Sequence, residues 1–416
     1  MEYDAIVVGA RVAGSSLAIL LGRQGRRVLL VDRDYFPSDT LSTHLLQPPA
    51  VEMLDRLGVL AEVESSGLRR LSRLRTYLGD VVVEGPLRAP GAYALCARRD
   101  RLDLALIRQA VRRHGVELLE RTSAHGLVWE DGRATGVELR TAGGVRRTVR
   151  ARVVVGADGR HSRVAEWTGA ARYEETPALR PVYYAYYRGV TPQPTPALEV
   201  FYQDGRIGFV LPMEPGIDCL ALEVQPEEFP AFRADPDGRL AAVLRTLPGM
   251  ATRMADAERD GPARGIRGVE NYLRIPYGPG WALTGDAAFC KDSSTGTGIE
   301  DAFRQSFLLA DALGTALDGA DWEATMAAYH RRRDEAVLPG YRSTLTYTRT
   351  DDPSPEALGW LQAVAANAGL VRLLGQTFPV AVQAPGVLPA GLLPSIERSV
   401  GRFAAARDAH ADKPAA

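Results

Sequence analysis

Apolar positions along this chain fall into two patterns, unbroken runs and alternation. Ala5-Ile6-Val7-Val8 before Gly9, Val28-Leu29-Leu30-Val31 before Asp32, Val153-Val154-Val155 before Gly156 and Trp281-Ala282-Leu283 before Gly285 are short runs closed by turn residues. Such runs predict strands buried on both faces, as in βαβ units. Strand-like stretches at Val182 to Val190, Leu198 to Tyr202, Ile207 to Pro212 and Cys219 to Val224 predict a separate antiparallel sheet, and Leu74 to Leu78 with Val81 to Glu84 predict a hairpin turned by Gly79-Asp80. Helical spacing appears from Pro49 to Leu57 before Gly58, from Arg98-Arg99 through Leu102, Leu106 and Val111, and through Phe303, Phe307, Leu308 and Leu313. Strands at Val116 to Leu119 and Gly136 to Leu139 lie between the second and third of these helices.

The order of these elements predicts an α/β fold with interleaved domains. A Rossmann-like domain takes residues 1–73, 96–178 and 268–345, an antiparallel-sheet domain for substrate takes 74–95 and 179–267, and a C-terminal helical segment takes 346–416. Helix-like patches in that last segment, around Leu358 to Leu374, are followed by Pro379, Pro385, Pro389 and Pro394. A length of 416 residues suits two domains and an appendage.

Charge and cysteine content narrow the partners. A formal charge of -1 supplies no phosphate-tracking basic face, so small molecules and not nucleic acid are expected. Lys291 and Lys413 are the only lysines; with abundant Ala and Gly this reflects a GC-rich coding bias. Cys96, Cys219 and Cys290 are odd in number and far apart, which predicts neither a disulfide framework nor a metal site and fits a reducing cytoplasm. The chain enters its first strand without a basic-then-apolar leader and has no apolar run of bilayer length, so a cytoplasmic protein with no transmembrane segment is expected.

The segment Gly9-Ala10-Arg11-Val12-Ala13-Gly14, with Asp32 and Arg33 about twenty residues on, reads as a dinucleotide-binding turn. Gly9 makes the turn, Gly14 permits close helix packing, the helix start faces a pyrophosphate and Asp32 accepts from a ribose hydroxyl. Arg11 stands where a second glycine is usual. Gly156-Ala157-Asp158-Gly159-Arg160-His161-Ser162 and Thr284-Gly285-Asp286-Ala287-Ala288 are two further strand-to-turn motifs. Together the three resemble the FAD-binding fingerprints of the para-hydroxybenzoate hydroxylase-like flavoprotein monooxygenases, a superfamily that also holds flavin halogenases and geranylgeranyl reductases. The resemblance spans residues 1–345.

It implies FAD as cofactor, NADPH or NADH as transient reductant, O2 as co-substrate and, as an allowed partner, a separate flavin reductase. The implied activity is hydroxylation or epoxidation of a small aromatic or polyketide-like specialised metabolite through a flavin C4a-hydroperoxide. Arg11 then donates to the pyrophosphate or points to solvent, and Arg99, ahead of Leu102 and Leu106, resembles the family's helix-borne arginine near the flavin. Asp158 is an organising acid or a structural cap, and Asp286 matches the aspartate that accepts from the ribityl chain. Backbone amides at Gly296, Thr297 and Gly298 are placed to stabilise the negative charge of reduced flavin, while Ser293 departs from the family's proline. His44 is the ionisable ring expected near the flavin, to orient substrate or assist the oxygen chemistry, and Tyr183 and Tyr186 are the substrate candidates on a tyrosine-rich strand. A flavin-dependent alkene reductase is the rival reading, because Phe36-Pro37 and Glu52 to Gly58 look much like the geranylgeranyl reductases. A halogenase would need an early-strand lysine and a Trp-x-Trp-x-Ile-Pro signature, and neither is present. An FAD-bound binding module without turnover is the third.

Overall fold

The computed structural model describes residues 2–79, 81–87, 91–349, 362 and 365. The chain divides into two compact units, Met1–Leu68 with Leu95–Leu179 and Gly268–Arg342, and Arg69–Ala94 with Arg180–Arg267 and Ser343–Ala416. Apart from Gln362 and Ala365, which are helical, the expected C-terminal patches and their prolines lie outside the described residues.

The first unit is built on β1 (Tyr3–Val8), α1 (Val12–Arg23), β2 (Val28–Val31), α2 (Pro48–Leu57), α3 (Arg99–His114), β3 (Glu117–Leu119), β4 (Arg146–Gly156), β5 (Trp281–Leu283), α4 (Gly298–Leu317) and the part of α5 (Trp322–Thr348) that precedes Ser343. Its sheet is parallel in the order β5, β4, β1, β2, β3. The unbroken runs are its strands because helices cover them: Ile6, Val7, Leu29, Leu30, Val154 and Val155 are fully buried. α1 packs against both α3 and α4. α2 begins with Pro48 and Pro49, whose fixed φ suits a first turn, and stops at Gly58, whose φ of 73° only glycine adopts without strain. Strands Thr122–Glu130 and Arg133–Thr141 form an antiparallel excursion on the first half of β4, one face of which is exposed.

The second unit is a mostly antiparallel sheet in the order 81–86, 73–78, 198–203, 206–212, 218–223, 182–188, with 73–78 and 198–203 parallel to each other. Three short helices, Phe229–Ala234, Pro236–Thr246 and Met250–Arg253, cover one face, and Phe232, Leu240, Leu244 and Met250 pack there on Phe201, Leu220 and Leu222. The pleat puts Tyr183 and Tyr187 on that covered face and Tyr184 and Tyr186 on the other. Tyr183, its ring 4.9 Å from that of Phe232, is thus a core residue and not a substrate contact, a correction to the pairing of Tyr183 with Tyr186. At one end of the covered face Glu199 takes two hydrogen bonds from Arg253, at 2.8 and 2.9 Å, and one from Tyr77 at 3.0 Å.

Among the described residues no helix is long and apolar enough to cross a membrane, and no three His, Cys, Asp or Glu side chains are grouped to hold a metal ion. The side chains of Cys96, Cys219 and Cys290 are buried.

Candidate active site

Sheet register brings three distant motifs into one row. Val8 pairs with Val31 and with Gly156, and Gly156 pairs with Leu283, so Gly9, Asp32, Ala157 and Thr284 all leave the sheet at the same edge, the carboxyl ends of parallel strands. Gly9 has a φ of 105°, and a Cβ there would stand 2.4 Å from the Ala157 carbonyl oxygen. A Cβ on Gly14 would stand 1.7 Å from the Gly9 carbonyl oxygen, so α1 lies directly against the turn it starts from. No side chain caps α1, which leaves its first turn to an external acceptor. Asp32, nearly buried, accepts from the amides of Ala10 at 2.7 Å and Asp34 at 2.8 Å; burial raises its carboxyl pKa and those two bonds hold it back. Arg33 is exposed.

Both expectations for Arg11 give way to a third. Its guanidinium donates to Asp103 at 2.8 Å, to Asp34 at 2.8 Å and to both oxygens of Ser38. Asp103 is fully buried and also takes a bidentate pair from Arg99, both bonds at 3.0 Å. Arg99 and Arg11, read separately from sequence, are therefore held by one carboxylate. Asp158 is a cap: its carboxylate accepts from the Ser162 hydroxyl at 2.5 Å and from the amides of Arg163 and Val164 at 2.8 and 3.2 Å, which starts the short helix Arg163–Trp167.

Asp286 is open to solvent, yet desolvation raises its carboxyl pKa, with Arg99 and Arg160 opposing the rise. Exposure combined with desolvation describes a carboxylate in a recess, flanked by two cations. The turn that carries it is held from behind, because Tyr272 donates to the Asp286 carbonyl at 3.0 Å and Arg274 to that of Ala287 at 3.1 Å. α4 reaches the same place: Ser306 donates to the Ala13 carbonyl at 2.9 Å, and Gln47 to that of Thr295 at 2.8 Å. Gly296 is left-handed with a φ of 64°, and a Cβ there would meet Leu45 at 2.8 Å. At Gly298 a Cβ would meet nothing within 4 Å, and Thr297 makes no side-chain cap, so the start of α4 is open.

His44 sits at a left-handed φ of 59° with its ring fully buried. Its carbonyl accepts from the Ala97 amide at 3.0 Å. Burial pushes the ring pKa down to about 4, against the pull of Asp39. A ring closed to solvent and held neutral by burial argues against the acid–base part of the role expected of His44. Between pH 6.5 and about 4 the unfolded chain binds this proton and the folded chain does not, so stability is complete above that window and falls as the pH drops through it. His44→Gln is expected to flatten the acid limb of apoprotein stability by roughly 3 kcal/mol across the window, read by urea unfolding at each pH; superimposable limbs would refute it.

Asp34, Asp103 and Arg160 are missing from the sequence-derived set. Asp103 had a local signal, its i,i+4 spacing from Arg99, and Arg160 lies inside the second glycine motif, whereas nothing near Asp34 marks it as a partner of Arg11.

These features fit an extended dinucleotide: an uncapped helix start behind two close-approach glycines, a buried acid at the next strand end, and a recessed acid between cations beside a second open helix start. Comparison with known proteins agrees. A model of the FAD binding domain matches residues 2–235, more than half of the chain. The menaquinone reductase of Mycolicibacterium smegmatis is 27% identical over 370 residues, 83% of this chain and 85% of that protein. The 6-methylpretetramide 4-monooxygenase of Streptomyces rimosus is 35% identical over 170 residues, 40% of each. Among solved structures, a flavin-dependent brominase superposes with a TM-score of 0.78 at 21% identity, covering 97% of this chain and 99% of its own, which shows the shared fold. FAD is the cofactor, and the chain belongs to the FAD binding domain family as a flavin-dependent oxidoreductase of the para-hydroxybenzoate hydroxylase-like superfamily.

Proposed function

We propose that the protein is an FAD-dependent monooxygenase that uses NAD(P)H and O2 to hydroxylate or epoxidise a small aromatic or polyketide-like metabolite. The observation that carries the reading is the open, uncapped start of the twenty-residue helix α4 beside Asp286, a fixed positive end suited to negative charge on a reduced flavin ring. Bound FAD, once reduced, supplies the oxygen activation. This chain's residues supply position and polarity. The first turn of α1, with Gly9 and Gly14 letting backbone come close, would hold the pyrophosphate, and Asp32 a ribose hydroxyl. Arg99, fixed by Asp103, and Arg160 would place positive charge beside the phosphates, Asp286 would accept from the ribityl chain, and the amides of Thr297 and Gly298 would face the ring, that of Gly296 being given to the Ser293 carbonyl. The other face of the second unit's sheet, with Tyr184 and Tyr186 buried on it and their rings edge to face, is aromatic and suits a flat substrate.

The Streptomyces rimosus relative, a monooxygenase by name, supports oxygenation of a 6-methylpretetramide-like compound. Bromination is disfavoured, because Lys291 and Lys413 are the chain's only lysines and neither is on an early strand. Reduction of an alkene or quinone is the second reading, favoured by the broad match to the menaquinone reductase.

Anaerobic stopped-flow mixing of the purified protein with NADPH or NADH, followed by oxygen, tests the choice. Bleaching of the flavin, then an absorbance transient on the way back to the oxidised spectrum, is the expected result. Bleaching only when a flavin reductase is added would assign a second component, and reoxidation by an alkene or quinone without any oxygen-dependent transient would replace the proposal with the reductase.

A further inference from the structure

The first turn of α4 carries two acids, Glu300 and Asp301, at the end read above as facing the flavin ring. A helix N-terminus is equivalent to about half a positive charge, whereas one ionised carboxylate beside it is a full negative charge, so either acid left alone would reverse the sign of that end. Each is neutralised. Glu300 accepts from Arg304, one turn on, at 2.6 Å. Asp301 pairs at 2.7 Å with Lys291, which arrives from outside the helix, from the segment that follows the Asp286 turn.

The Lys291–Asp301 pair is the more enclosed of the two. Side-chain exposure is 5% for Lys291 and 13% for Asp301, against 38% for Arg304. Lys291 is also the only lysine among the described residues, in a chain whose basic side chains are arginine apart from Lys291 and Lys413. Its ammonium lies 5.5 Å from the Phe289 ring centre, and a Cβ on Gly340 would come 3.8 Å from its Nζ. The charge of Asp301 is felt at Asp286, whose carboxyl pKa it helps to raise after the larger effect of desolvation. The pair therefore sits within electrostatic range of the recess.

We propose that Lys291 is a positioning residue of the flavin site: by neutralising Asp301 it keeps the start of α4 positive and so holds up the reduction potential of the bound flavin. The inference rests on the reading that the start of α4, Thr297 and Gly298, faces the flavin ring. Reduction adds negative charge to the ring, and that charge is favoured by the helix end only while Asp301 is paired.

The test is the two-electron midpoint potential of FAD-loaded protein, measured by spectroelectrochemistry, together with the Kd for FAD by fluorescence titration. Lys291→Met is expected to disfavour reduction about tenfold, which for a two-electron couple is about 30 mV more negative. Asp301→Asn is expected to shift the potential the other way. The double variant K291M/D301N, which leaves no unpaired charge, is expected to return close to the parent potential, and with Asp301→Asn it keeps the test available should Lys291→Met lose FAD. A double variant that keeps the Lys291→Met deficit, or a Lys291→Met protein with unchanged potential, would overturn the role of Lys291. Thr297→Asp separates this from failure of the underlying reading, because it sets an unpaired charge at the helix start itself. If Thr297→Asp lowers the potential and Lys291→Met does not, the inference falls alone; if neither moves it, the placement of the flavin ring at α4 falls as well.

Discussion

A Gly14→Ala variant is expected to bind FAD about 10- to 100-fold more weakly and to purify with little flavin. The added methyl would stand 1.7 Å from the Gly9 carbonyl oxygen and 2.9 Å from its carbon, with Val7 at 3.2 Å. Backbone cannot rotate out of the way as a flexible side chain can. α1 must back away from the β1 turn, and those two elements form the candidate pyrophosphate cradle. Overpacking of this kind costs about 1–3 kcal/mol, and at about 1.4 kcal/mol per factor of ten the cost of restoring the close approach on binding gives the stated loss. Gly143→Ala is the control, since its Cβ would meet only the Thr141 hydroxyl at 3.8 Å at an ordinary φ, and it should bind FAD like the parent. The flavin-to-protein absorbance ratio and a titration of apoprotein with FAD read both variants. Equal affinities for the two would show that the close approach of α1 to the turn does not underlie cofactor binding.

The elements that carry Gly9, Gly14, Asp32 and Asp286 were legible in the sequence because strands covered on both faces have no polar positions to blur their ends. Runs such as Val28 to Val31 stand out, and each closes on the residue that matters. The helices over the second sheet were not legible. Phe229–Ala234 and Pro236–Thr246 are short and each has a proline within its first two residues, so no apolar repeat persists long enough to show the helical period. The pairing of Tyr183 with Tyr186 failed on a rule already visible: residues three apart on a strand lie on opposite faces, and only the packing of Phe232 shows that the face of Tyr183 is core. The site divides the same way. Backbone geometry at the glycines follows from local sequence, but charge pairing does not, because Asp34 and Asp103 reach Arg11 across separations of 23 and 92 residues. Where the fingerprint departs at position 11, the departing side chain found partners that no spacing rule connects to it.

Asp103→Leu is expected to be the most destabilising single change in the first unit. Asp103 is wholly buried and holds two guanidinium groups, and with it gone Arg99, whose side chain is 11% exposed, keeps none of its hydrogen bonds. Removing one partner of a buried ion pair costs about 3–5 kcal/mol, because the remaining charge is left without compensation. Asp103→Asn keeps an acceptor and should lose less. The informative comparison is the double variant Arg99→Met/Asp103→Leu. A buried ion pair replaced whole by apolar side chains is often neutral in stability, so urea unfolding of the apoprotein should recover most of what Asp103→Leu loses. FAD affinity should not recover, since one of the two cations near Asp286 is gone and Arg11 is left with Asp34 alone of its two carboxylates. Stability and cofactor affinity would then separate in one pair of residues, as expected if the pair is kept for the charge it places beside FAD. A double variant that regains both, or neither, would make Arg99 and Asp103 part of the scaffold alone.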